Sequence, residues 1–171
     1  MEEEFLKFFR ENNIQPQKIP QRVLDYICEN FPSKCEKIKN YFYFLVNFDN
    51  EKFREILKKF EAYKRFCFGL SSESLHFVII DVRLKYPEPL IVHELVELLI
   101  GSQEEANKHE LLFANQIGIE GYDENFKNFD WVSRDGKIKE LEEIEKKEGI
   151  PFTRSWKVNL RKKMEKFFQN D

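Results

Sequence analysis

The sequence predicts an α+β fold: a predominantly helical single domain with a small β-sheet. Most of the chain spaces its apolar residues as an amphipathic helix does. Residues Leu75 to Leu84 differ, because they are rich in β-branched side chains and almost continuously apolar, which is typical of a buried strand. The chain has 171 residues, of which 42% are hydrophobic. That length and composition suit one domain with its own core, spanning residues 1–171.

Residues 1–68 are predicted to form the N-terminal helices. Apolar spacing and flanking prolines or capping residues delimit three of them. They are Glu2 to Asn12, Gln21 to Phe31 and Glu51 to Phe66. Between the second and third, we predict a further helix from Lys34 to Phe48, although its YFYFLV stretch also suits a strand.

The rest of the domain divides into a core, 75–118, and a C-terminal part, 119–171. The core is predicted to be the strand followed by a helical hairpin, after a turn marked by Gly69. The C-terminal part is predicted to contain a hairpin or helices, with a basic last helix from Arg154 to Phe168. We expect that helix to dock on the domain through its apolar face, and a nucleic-acid contact is the alternative.

Charge and cysteine content limit the classes of function. The net charge is −3, which gives no general reason to expect nucleic-acid binding. The three cysteines, Cys28, Cys35 and Cys67, contain no Cys-x-x-Cys pair, so we expect neither a disulfide framework nor a cysteine zinc site. A reducing, cytoplasmic setting is the simplest expectation. The acidic start, MEEEFLKFF, lacks the pattern of a secretion signal, and no apolar run is long enough to predict a membrane partner.

The chemistry is concentrated in the predicted hairpin, from Pro89 to Gly118. Its first half is apolar nearly all round, which predicts a buried helix. The exceptions are His93, Glu94 and Glu97, which share one narrow stripe at 3.6 residues per turn. Burying two carboxylates is costly unless a positive charge compensates them. A metal ion is the favoured interpretation, and an arginine or lysine from elsewhere is the alternative.

The second half of the hairpin is predicted to be a separate helix. Gly101 ends the first helix, and Ser102 with Glu105 has the spacing of a capping box. The connection is so short that the two helices should be antiparallel. His109 lies on or beside the buried face of the second helix, where a structural role is the alternative to metal binding.

Distances from Gly101 predict two side-chain pairs at matching heights. His93 and His109 are each eight residues from this glycine, and Glu97 and Glu105 are each four residues from it. The rotation of each helix decides whether the pairs face one another, and the sequence does not fix it. Facing pairs would bring two imidazoles and one or two carboxylates to a single ion. That ligand set suits zinc or iron, with manganese possible.

The order His93-Glu94-Leu95-Val96-Glu97 resembles the His-Glu-x-x-His motif of zincin metallopeptidases. Residues 105–117 are similar to the third-ligand helix of compact zincins, such as the phage-repressor-cleaving peptidases. The resemblance covers residues 75–118. It implies that His93 binds zinc, that Glu94 is the catalytic base, that His109 or Glu110 is the third ligand, and that the substrate is a peptide or protein. The sequence departs from the motif at Glu97, where zincins have a second histidine.

Three functions follow as hypotheses. The first is a small metal-dependent hydrolase with Glu94 as catalytic residue. Its candidate metal ligands are His93, Glu97, His109, Glu105 and Glu110. The second is a non-catalytic metal-binding or partner-binding regulatory domain. The third is a nucleic-acid-associated regulator that uses the basic C-terminal helix. Outside the hairpin, Asp81 is expected to face solvent from the strand, and an approach to the metal site is the alternative.

Overall fold

A computed structural model of the chain describes residues 2–59 and 69–119, and within them the predicted α+β class is confirmed. Helices and a small mixed sheet alternate along these residues. In chain order the elements are α1 (Glu2–Glu11), β1 (Gln17–Lys18), α2 (Gln21–Asn30), α3 (Cys35–Ile38), β2 (Phe42–Val46), α4 (Glu51–Lys59), β3 (Gly69–Ser72), β4 (Phe77–Asp81), α5 (Pro87–Ile100) and α6 (Gln103–Gln116). The predicted extension of α4 to Phe66 and the predictions for residues 120–171 lie outside the described residues.

The sheet has the strand order β1-β2-β4-β3. Its two central strands, β2 and β4, are parallel, and Phe44 is in register with Ile79. The outer strands are each antiparallel to their neighbours. Because strand side chains alternate between faces, Phe77 and Ile79 point to one side of the sheet, and Val78 and Ile80 point to the other.

Two apolar layers cover the faces of the sheet. One layer is rich in phenylalanine and includes α1 and α4. Its buried aromatic members are Phe5, Phe8, Phe9, Phe44, Phe48, Phe53 and Phe77. The other layer contains Val78 and Ile80 with buried residues of α2, α5 and α6. The candidate site belongs to this second layer, so the phenylalanine layer supports the sheet from behind.

Helix α5 is the central element of the second layer. It packs against α6, α2, β3 and β4, which explains why the helix is apolar on nearly every side. Gly101 ends it in a left-handed conformation, with φ of 71°, and Ser102 caps α6 by accepting a hydrogen bond from the Glu105 backbone N–H. The predicted helical hairpin is therefore confirmed. Neither α5 nor any other helix within residues 2–59 and 69–119 combines the length and apolarity that a membrane crossing requires.

Two local predictions are wrong. The segment from Lys34 to Phe48 contains only the four-residue helix α3, and its YFYFLV stretch supplies β2, which confirms the strand alternative for that stretch. The aromatic and aliphatic side chains of this stretch gain a parallel partner, β4, which decides in favour of the strand. The predicted turn at Gly69 is also wrong, because Gly69–Ser72 forms β3, antiparallel to β4.

The expectation that Asp81 faces solvent is wrong as well. Asp81 is fully buried, since both faces of the strand that carries it are covered. Arg83 donates three hydrogen bonds to its carboxylate, from the backbone N–H and Nε at 3.0 Å each and from Nη2 at 2.6 Å. Arg83 also pairs with Asp49, which follows β2. The three side chains thus connect the segments that follow the two central strands.

The expectation of no disulfide is corrected for one cysteine pair. Cys28 in α2 and Cys35 in α3 form a disulfide across seven residues, with their Cα atoms 4.7 Å apart. A 3₁₀ turn at Pro32–Lys34 folds α3 back against the end of α2 and brings the sulfurs together. Disulfides persist mainly in oxidising compartments, so this pair weakens the argument for a reducing compartment that was based on the cysteines. Cys67 lies outside the described residues.

Substitution of Cys28 by serine is expected to lower the free energy of unfolding by about 2 kcal/mol, because the unfolded chain loses a short covalent loop. Guanidinium denaturation under non-reducing conditions measures the loss. Adding a reductant should destabilise the wild-type protein by a similar amount and leave Cys28→Ser unchanged. Equal stability of the oxidised wild type and the variant would show that the crosslink does not stabilise the fold.

Candidate metal centre

His93 is the central side chain of the candidate site. It lies in the middle of α5 and is only 3% exposed. Its Nδ1 is 2.8 Å from Oε2 of Glu110, a fully buried carboxylate on α6. The imidazole N–H donates to this carboxylate, so the two helices of the hairpin are joined by a buried, charge-assisted hydrogen bond.

Glu97 occupies the other side of the same imidazole. It lies one turn further along α5, and its Oε2 is 3.7 Å from Nε2 of His93. The Glu97 side chain is 37% exposed, unlike the buried Glu110. One ring nitrogen of His93 therefore contacts the interior carboxylate of Glu110, and the other lies near the carboxylate of Glu97, which reaches the surface.

Glu94 completes a compact group of potential metal ligands. One ligand atom from each of His93, Glu94 and Glu97 lies within 4.8 Å of the other two. Glu94 is itself buried beneath β3. A Cβ atom added to Gly69 would come within 2.7 Å of Oε1 of Glu94, so any other residue at this position would require the Glu94 side chain to move. Sequence reasoning missed Gly69 because it took the residue only as a turn marker.

Among the described residues, three carboxylates, those of Glu94, Glu97 and Glu110, act on the charge of the His93 ring. Burial alone would lower the pKa of His93. The hydrogen bond to Glu110 and the nearby carboxylate of Glu97, together with the charges of Glu110 and Glu94, outweigh the burial and raise the pKa from 6.5 to about 10. In the metal-free protein, His93 is therefore an imidazolium at neutral pH. The group attracts positive charge strongly enough to hold a proton on a buried ring.

His109 and Glu105 lie outside this cluster. His109 directs its Nδ1 to the hydroxyl of Tyr26 in α2, at 2.8 Å, and its ring packs 4.7 Å from that of Phe31. Glu105 lies on the other side of the ring, with Oε2 3.7 Å from Nε2. The rotation of α6 presents Glu110 to His93 and turns His109 towards Tyr26 of α2.

The surroundings of His109 favour a neutral ring. Burial lowers the pKa of His109 and outweighs the opposing charge of Glu105, while the charge of Lys108 lowers it further. Burial also raises the pKa of the Tyr26 phenol. An imidazole without charge therefore faces a protonated phenol at neutral pH. Tyr26 carried no recognisable signal in the sequence, because a tyrosine on an apolar helix face resembles an ordinary core residue.

The arrangement can hold a cation because its donors are of the right chemical type and close together. One imidazole and two carboxylates from a single helix suit zinc, iron or manganese. Glu110 completes the group as the hydrogen-bond partner that fixes the ring. Comparisons of the chain with protein-family models, with curated proteins and with solved structures give no match.

Proposed function

We propose that the α5–α6 hairpin binds one divalent transition-metal ion and that the protein uses this ion to hydrolyse peptide bonds. His93 and Glu97 are the proposed ligands, with Glu94 beside them. The observation that supports this most directly is that each nitrogen of the His93 ring lies near a different carboxylate. Nδ1 is near the buried Glu110, and Nε2 is near the half-exposed Glu97. That pattern leaves one nitrogen oriented by Glu110 and the other directed to a potential shared ion.

The distance between the two proposed ligands suits a shared ion. Metal–ligand bonds of about 2.0–2.2 Å at a tetrahedral angle separate two donor atoms by about 3.4 Å. The separation of Nε2 of His93 from Oε2 of Glu97 is 3.7 Å, so a small side-chain adjustment is sufficient. An ion at Nε2 would replace the proton on that nitrogen, and the Nδ1 hydrogen bond to Glu110 would still orient the ring.

Glu94 is the proposed catalytic base. Its carboxylate is buried and held against Gly69, and it lies close to both proposed ligands. A desolvated carboxylate at such a position can accept a proton from a water molecule as that water attacks a carbonyl carbon. The bound ion would polarise the carbonyl and acidify the water. The half-exposed Glu97 marks the side from which substrate and ion reach the site.

The metal content of the purified protein tests the first half of the proposal. Elemental analysis is expected to find about one divalent ion per chain in the wild type, and almost none in His93→Ala, because the ring supplies the nitrogen ligand. Glu104→Gln is the matched control, since Glu104 is exposed on α6. Metal-free wild-type protein that also fails to bind added Zn²⁺, Fe²⁺ or Mn²⁺ contradicts the proposal, and the protonated His93 ring is then the positive charge among the carboxylates.

Glu94→Gln tests the second half. It is expected to retain the metal and to reduce hydrolysis of a fluorescence-quenched peptide library by at least about 100-fold, because the amide cannot accept the proton. Loss of the metal in this variant would assign Glu94 as a ligand. Unchanged hydrolysis would remove it from the mechanism.

A non-catalytic metal site is the second candidate, and the low exposure of His93 and Glu94 favours it. A structural site has four protein ligands and no position for water, whereas a catalytic site keeps one open. Azide added to cobalt-substituted protein distinguishes the two. A change in the visible spectrum indicates an open position, and an unchanged spectrum favours the structural role.

A further inference from the structure

The pair Glu105 and His109 on α6 repeats the geometry of the first pair on α5. In both pairs the residues are four positions apart on one helix. In both, Nε2 of the histidine lies 3.7 Å from Oε2 of the glutamate. The order is reversed along the chain, since the histidine precedes the glutamate on α5 and follows it on α6.

The orientation of each ring is also fixed in the same way. Nδ1 of His93 is held by Glu110, and Nδ1 of His109 is held by Tyr26, both at 2.8 Å. Each holding group is buried and comes from a different helix. Phe31 packs on the His109 ring and further restricts it. Nε2 of His109 is thereby kept on the side of Glu105. Because the ring is already ordered, ion binding there costs little conformational entropy.

An ion can reach this pair from the solvent. The Glu105 side chain is 41% exposed, whereas that of His109 is 10% exposed. The same Oε2 of Glu105 is 3.6 Å from Nζ of Lys108, whose side chain is 60% exposed. A surface ammonium contributes little at such a distance, so a divalent ion can displace it. The separation of the two donor atoms is again close to the roughly 3.4 Å that a tetrahedral ion requires.

We propose that Glu105 and His109 bind a second divalent transition-metal ion, with water completing its coordination. The site favours ions with high affinity for imidazole, such as Zn²⁺, Cu²⁺ and Ni²⁺. It is weaker than the first site, because the Lys108 ammonium competes with the ion for the same carboxylate oxygen of Glu105. It does not depend on the proposed function, since neither ligand belongs to the first cluster.

The three histidines of the chain allow each binding event to be assigned. His93 and His109 report on the two sites, and His76, which is exposed, is the internal control. Metal-free protein labelled with ¹⁵N is titrated with Zn²⁺ while NMR follows the imidazole nitrogens. We expect Nε2 of His109 to shift at higher zinc concentration than His93, with His76 unchanged over that range. A His109 signal that stays unchanged, or that shifts only together with His76, overturns the second site.

Variants separate this site from the first. Glu105→Gln is expected to weaken zinc binding at His109 by at least about tenfold and to leave His93 unaffected, and Tyr26→Phe should do the same by releasing the ring. Glu104→Gln is the control and should change neither. In His93→Ala the shift of His109 should persist. If zinc binds only at His109, the second site is supported and the first site is contradicted. If zinc binds only at His93, the first site is supported and the second site is contradicted.

Discussion

Glu110→Gln is expected to lower the free energy of unfolding of the metal-free protein by about 3 kcal/mol at pH 6.5, because it leaves a buried imidazolium without the buried carboxylate that accepts its hydrogen bond. Glu110 is fully buried and 2.8 Å from the ring, whereas Glu97 is further away and half-exposed. Urea denaturation of chelator-treated protein measures the change. Glu104→Gln is the control on the same helix and should change stability by less than about 0.5 kcal/mol.

The effect of Glu110→Gln should depend on pH with a definite sign. The pKa of His93 is about 10 in the folded protein, against an ordinary value of 6.5. A raised pKa means that the charged ring stabilises the fold fully below pH 6.5, and that this contribution is lost as the pH rises towards 10. The difference in stability between wild type and variant should therefore shrink from pH 6.5 to pH 10. A difference that grows over this range, or that stays constant, contradicts the assignment of charge to His93.

Asp81→Ala is expected to lower the free energy of unfolding by 3–5 kcal/mol, about as much as Glu110→Gln or more, because it leaves the Arg83 guanidinium partly buried with its interior partner removed. The same guanidinium provides a matched control. Asp49 pairs with it from a position that is 52% exposed, so Asp49→Ala should cost less than about 1 kcal/mol. Thermal and chemical denaturation of both variants test the contrast.

The double variant Asp81→Leu with Arg83→Met refines the test. If the loss of stability in Asp81→Ala comes from the partly buried Arg83 charge that has lost Asp81, removing both charges should recover much of the stability. A double variant as unstable as the single one would instead assign the loss to packing around β4. Equal losses in Asp81→Ala and Asp49→Ala would contradict the role of burial.

The sequence predicted most of the hairpin because its signals are local. The apolar surface of α5, the glycine at 101 and the Ser102 cap each depend on residues within a few positions of one another. The strand β4 was recognisable for the same reason. In contrast, β2 was mistaken for a helix because its preference is decided by a partner strand more than thirty residues away. Asp81 was misplaced because its burial depends on helices that the strand sequence does not specify.

Within the site, the sequence identified the residues of α5 and included Glu110 among the candidates, but it could not fix their pairing. A rotation of α6 by one residue, about 100°, decides whether His109 or Glu110 meets His93. With the observed rotation, the His109 ring contacts Tyr26 of α2 and Phe31, which directly follows α2. The close passage of Gly69 over Glu94 depends equally on tertiary packing, since the two are 25 positions apart along the chain.

The side chains of β4 alternate between the two faces of the sheet and so separate two groups of contacts. Phe77 and Ile79 support the aromatic side of the sheet, while Val78 and Ile80 face the helices that carry the ionisable groups. Exchanges of volume among the phenylalanines can thus alter robustness without displacing His93, because a backbone ladder stands between them. Repacking on the aromatic side of the sheet can therefore change the stability of the domain without altering the arrangement of ionisable groups on the other side.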